Sequence, residues 1–150
     1  MYSSEGNTLL EPMSDIPSLE VRKVLVAEDN PALAAVMRFH LERAALQVDV
    51  ARDGLEAWER LQRENYALVI TDQQMPHLSG CDLCRRMRQD PRLADTPVLL
   101  VTAKRLELES SRIQEELGVR EVLPKPFSVL GLMEAVNSGL GLATGSGAQP

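Results

Sequence analysis

Along most of this chain short apolar runs alternate with segments of helical spacing. Five runs read as strands: 23–27, 47–51, 67–71, 98–102 and 121–123. The third and fourth, built on Leu68-Val69-Ile70 and Val98-Leu99-Leu100-Val101, are continuously apolar, as strands covered on both faces must be. Between the strands the period changes. Leu33, Val36, Met37, His40, Leu41 and Ala44 form one stripe at i, i+3, i+4, i+7, the mark of an amphipathic helix. Asp53, with Glu56 three residues later, is placed to cap a second helix in a near capping box. Gly118 is placed to stop a fourth. Strand and helix in strict alternation imply βαβ units, hence a parallel sheet with helices on both faces. Five strands in a stretch of this length suit the doubly wound, flavodoxin-like order 2-1-3-4-5.

Composition narrows the classes. The 150 residues fit one domain, and 44% hydrophobic positions are enough for a sizeable core. Sixteen basic residues against 22 acidic ones give a net charge of −6, which argues against a nucleic-acid binder. No apolar run reaches the ~18 residues of a membrane span, and the N-terminus lacks the basic and apolar blocks of a signal peptide. Two cysteines are too few for a disulfide framework. The expectation is a cytoplasmic domain over residues 21–140, with a flexible leader at 1–20 and a flexible tail at 141–150.

Open parallel sheets bind ligands beyond the carboxyl ends of their strands. Strand one runs into Glu28-Asp29, strand three into Asp72, strand four ends at Thr102 and strand five leads to Lys125. Three carboxylates facing one ammonium raise pKa values or demand a cation. An oxygen-rich set without a His or Cys cluster suits Mg2+. A hard cation, a lysine and a hydroxyl together equip a site for a phosphoryl group, with Asp72 the most central nucleophile.

The segments Val26-Ala27-Glu28-Asp29-Asn30-Pro31, Val69-Ile70-Thr71-Asp72-Gln73-Gln74-Met75-Pro76, Leu100-Val101-Thr102-Ala103 and Lys125-Pro126-Phe127 resemble the signature blocks of response-regulator receiver domains. Their order and spacing match too, with 43 positions from Asp29 to Asp72 and 53 from Asp72 to Lys125. The resemblance extends from about Arg22 to Gly139. It implies that Asp72 takes a phosphoryl group from a histidine kinase or histidine phosphotransfer protein. Asp29 and Asp72 would ligate Mg2+ directly, Glu28 through water and Gln74 by its backbone carbonyl. Lys125 would pair with the phosphoryl oxygens, Thr102 would swing toward them, and the Lys125–Pro126 peptide would be cis. Three positions depart from or tune the pattern. Val122 stands where the family usually has an aromatic, and Gln74 and Lys104 stand where side chains border the phosphoryl group. The stretch from Thr102 to Gly118 is also about one residue longer than usual.

Other candidates carry blander readings. Cys81 and Cys84 spell C-x-x-C near a helix start but read as a near-surface and a buried helix residue rather than a redox or metal pair. His40 and Trp58 read as packing, His77 as exposed, and Arg85, Arg86 and Arg88 as a solvated face. The leading function is a stand-alone phosphoacceptor, monomeric or weakly dimeric, that signals to an unknown downstream protein by contact. A receiver that works unphosphorylated is the alternative, supported by Val122. A Mg2+-dependent phosphatase is disfavoured because Gln74 replaces its second aspartate, and a flavin module because the first loop has no phosphate cradle.

Overall fold

The computed structural model describes residues 21–103 and 107–142. The expected leader, Lys104 and most of the expected tail lie outside them. Five parallel strands, β1 (Lys23–Ala27), β2 (Gln47–Ala51), β3 (Leu68–Asp72), β4 (Val98–Thr102) and β5 (Glu121–Pro124), form one sheet in the order β2-β1-β3-β4-β5. Between and after them run α1 (Pro31–Arg43), α2 (Gly54–Arg63), α3 (Gly80–Gln89), α4 (Glu107–Leu117) and α5 (Val129–Gly139).

Alternation along each strand divides the core. Leu25, Val69, Val98 and Leu100 join the cluster under α2, α3 and α4, while Val24, Val26, Ile70, Leu99 and Val101 join the one under α1 and α5. Because both sheet faces are covered, the central strands have no polar face to show, which is why their sequences read as unbroken apolar runs. Burying a residue such as Leu25 or Ile70 completely contributes about 1.5–3 kcal/mol each.

Two expectations need correction. β3 starts and ends one residue later than the apolar run suggested: its ladder pairs Asp72 with Val101 and continues through the Gln73 amide, which donates to the Val101 carbonyl at 2.8 Å. The Asp72 carboxylate therefore sits on fixed backbone, not in a loop. The buried face of α1 is Ala34, Met37 and Leu41, whereas Val36 is 48% exposed. A stripe of seven-residue period drifts around a 3.6-residue helix, and the small Ala34 is buried in its place.

The helix boundaries follow local chemistry. Asn30 caps α1 by accepting from the amides of Ala32 and Leu33, with Pro31 at the first helical position. Asp53 caps α2 through the Glu56 amide, and Glu56 reaches back to the amide of Arg52, one residue before the cap position of a capping box. Gly118 ends α4 at φ +62°, where a side chain would be strained.

Candidate functional site

The carboxyl ends of β1, β3, β4 and β5 meet at one edge of the sheet. The Glu28 amide donates to Ala51 and so extends the β1–β2 ladder by one residue, which turns the Glu28 side chain inward to 1% exposure. One of its oxygens accepts from the Asn30 amide at 3.0 Å, so the helix cap also orients the acid. Asp72, at the end of β3, is buried, while Asp29 is exposed. One oxygen from each of Glu28, Asp29 and Asp72 lies within 4.8 Å of the others.

Lys125 enters from the far side. Its amide donates to the Thr102 carbonyl at 2.8 Å, and the cis Lys125–Pro126 peptide follows. The ammonium lies 3.3 Å from Glu28 Oε1 and 3.2 Å from Asp72 Oδ1. The first contact is a hydrogen bond. The second is an ion pair without hydrogen-bond geometry, and Asp72 Oδ1 is left as a buried oxygen that accepts no hydrogen bond. Burial pushes the Asp72 and Glu28 carboxyls above their ordinary values, against the pull of Lys125 on Asp72 and of the Asn30 amide on Glu28. Burial would lower Lys125, but the two carboxylates outweigh it and hold its ammonium above the usual lysine value.

This donor set fits a hard divalent cation. All its ligand atoms are oxygens, one buried carboxylate oxygen is left without a hydrogen bond, and the exposed side of Asp29 leaves room for water ligands. Buried Thr102 closes the opposite wall, its Oγ1 accepting from Gln74 Nε2 at 3.4 Å. Gln74 is otherwise exposed. Val122, aligned with Leu100 on β5, is half-buried in the cluster on the α3–α4 side. Thus Glu28, Asp29, Asp72, Thr102, Lys125 and Gln74 converge, Val122 lies one layer below Thr102, and Lys104 falls outside the described residues.

Some contacts were not legible in the sequence. Gln73 fastens the loop after Asp72: its carbonyl accepts from Gly80 and its side-chain oxygen from the Cys81 amide. His77, expected merely to be exposed, adopts φ +72° and places Nδ1 3.3 Å from Asp53 Oδ2, tying that loop to the cap of α2. Arg88 is no solvated charge. Its guanidinium donates to the carbonyls of Leu93, Ala94, Thr96, Leu117 and Gly118, joining the end of α4 to the loop before β4. The only signal for this was its position at the end of a helix. Cys81 and Cys84 are both free and both buried, and burial raises both thiols, so the C-x-x-C spacing yields no activated thiolate.

Comparison with known proteins gives one answer. The family model described as "Response regulator receiver domain" matches residues 24–137. The phosphate regulon transcriptional regulatory protein PhoB of Rhizobium meliloti (strain 1021) is 38% identical over 116 residues, covering 77% of this chain and 51% of that protein. The autoinducer 2 sensor kinase/phosphatase LuxQ of Vibrio parahaemolyticus serotype O3:K6 (strain RIMD 2210633) is 39% identical over 116 residues, 77% of this chain but 13% of that protein. The chain therefore spans about half the length, or less, of these curated relatives. Among solved structures, the chemotaxis response regulator CheY4 of Vibrio cholerae superposes with a TM-score of 0.75 at 26% identity, covering 81% of this chain and all (100%) of that one. None of the helices among the described residues is long and apolar enough to cross a membrane.

Proposed function

This chain belongs to the response regulator receiver domain family, and from that premise we propose that it is a phosphoacceptor that takes a phosphoryl group onto Asp72 and signals by protein contact. Receiver domains work in two-component signalling with histidine kinases or phosphotransfer proteins. In this reading the donor is a phosphohistidine on such a partner. A carboxylate oxygen of Asp72 attacks phosphorus, the phosphorus–nitrogen bond breaks, and the imidazole leaves with the bonding pair and takes a proton. The product is an acyl phosphate. Attack of water on phosphorus later returns the carboxylate and inorganic phosphate, so the only catalysis proposed is this phosphotransfer and self-dephosphorylation.

The observation that carries the reading is the meeting of three carboxylates within 4.8 Å with one ammonium 3.2–3.3 Å from two of them, around a buried oxygen without a hydrogen bond. Asp29, Asp72, the Gln74 carbonyl and, through water, Glu28 are the groups proposed to hold Mg2+. When bound, Mg2+ supplies positive charge against the phosphoryl oxygens. Lys125 supplies the protein's own cation, and the Thr102 hydroxyl a hydrogen bond once the phosphoryl group is in reach. Gln74, already bonded to Thr102, borders the path of hydrolytic water and is proposed to tune the phosphoryl lifetime.

The test is phosphorylation by a small donor such as acetyl phosphate in Mg2+, read by intact mass. The wild type should gain one phosphoryl group and Asp72→Asn none. Absence of a gain with acetyl phosphate and with phosphoramidate alike would refute the proposal.

A further inference from the structure

Beneath Thr102, between α3 and α4, lies a cavity of about 420 Å3, partly open to solvent. That volume falls within the ~300–1,000 Å3 typical of small-molecule sites. Its floor is apolar, made by Leu100 and Val122 on neighbouring strands and by Ile113 of α4. Its rim is not. Arg85 and Arg112 stand on opposite helices, with Thr102 at the inner end. Arg85 is held at 2.8 Å by Asp82, whereas Arg112 makes no ion pair with any described residue. Glu116, one turn beyond Arg112, also lines the rim. With Arg85 already paired to Asp82, that acid lowers the rim's remaining positive charge to about what one carboxylate can offset.

The space exists because of residue size. Val122 and Leu100 face it from the sheet with branched aliphatic side chains, and no described aromatic ring lines it. A dry void of this size beneath a rim of exposed arginines would fill with water, and its apolar floor would gain free energy from any apolar group that displaced that water.

From an apolar floor beneath a cationic rim, we propose that this cavity binds a small amphipathic monoanion, an arylalkyl carboxylate, with its ring on Leu100, Ile113 and Val122 and its carboxylate on Arg112. The cavity adjoins the carboxylate cluster at Asp72 through Thr102, which lines it and which its occupant would contact. The proposal does not depend on Asp72 being a phosphoacceptor.

The experiment is an amide NMR titration of the full chain without phosphodonor, using 4-phenylbutyrate, its neutral amide and butyrate as probes. Phenylbutyrate should give saturable shifts at Leu100, Ile113 and Val122. The amide and butyrate should bind about tenfold more weakly, each having lost the charge-assisted bond or the buried ring. Arg112→Gln, on the surface, should weaken the carboxylate to the level of the amide and leave the amide unchanged. Val122→Phe should fill the floor and abolish saturation with a dispersed spectrum retained. Three results would each overturn the proposal: shifts that are linear or scattered over the surface, equal response to inorganic phosphate, or equal affinity in Arg112→Gln.

Discussion

Neutralising Asp72 should make the metal-free protein more stable, although it removes one side of an ion pair. In Asp72→Asn the 3.2 Å attraction to Lys125 is lost, ~5 kcal/mol at an effective dielectric of about 20. The repulsion from Glu28, with oxygens inside 4.8 Å, is lost as well, ~3.5 kcal/mol on the same basis. Repulsion from exposed Asp29 adds a smaller, screened amount. These charge terms nearly cancel, so burial decides the sign. A carboxylate only 4% exposed, with one oxygen lacking a hydrogen bond, costs about 1–3 kcal/mol to keep ionised. Lys125 meanwhile keeps its bond to Glu28. The variant should therefore melt roughly 3–9 °C above wild type in EDTA at neutral pH. Mg2+ should narrow that gap. At ten times its dissociation constant it adds ~1.4 kcal/mol to wild type and nothing to the variant, which lacks one of the proposed ligands. Thermal melts by circular dichroism, with EDTA and with a Mg2+ series, read both. A variant that melts below wild type in EDTA would refute the argument, because Asp72 would then be a stabilising hydrogen-bonded acid rather than a strained one.

Arg88→Ala should lower the urea midpoint by about 3 kcal/mol equivalent, since it strips charged donors from the carbonyls at the end of α4 and before β4, while Mg2+-dependent stabilisation persists. Gly54→Ala should cost about 2–3 kcal/mol by the same assay, because the new methyl would lie 2.1 Å from the Leu78 carbonyl oxygen and push on the loop that carries Gln74. Asp53→Ala should cost about 1 kcal/mol at neutral pH as a lost helix cap. The Glu56 amide, aided by His77, holds the Asp53 carboxyl below its ordinary value of 3.8, so its contribution is complete above that pH and lost as pH falls through the lowered value. Acid melts should accordingly show the wild-type advantage narrowing only below pH 3.8. A gap that closes already at pH 5–6 would rule out the Asp53 cap as its source.

Periodicity and strand-end chemistry carried the architecture and the site in the sequence itself. Strands buried on both faces must be written as apolar runs, and the first polar residue after each run must emerge at the same edge of a parallel sheet. Glu28, Asp29, Asp72, Thr102 and Lys125 were therefore readable as one group before any coordinates. What the sequence lacked was anything that depends on contacts between elements. Whether Val36 or Ala34 faces the sheet depends on how closely α1 approaches it, and a helical stripe alone does not say. The role of Arg88 depends on where the carbonyls of Leu117 and Gly118 come to rest, 29 and 30 positions away. The thiols of Cys81 and Cys84 sit at a helix start that favours a thiolate, yet packing against the sheet raises both. The cavity under Thr102 is likewise a property of tertiary structure alone, since it is a space between α3 and α4. Local pattern determines which atoms reach an edge; only packing decides how much water, charge and room they find there.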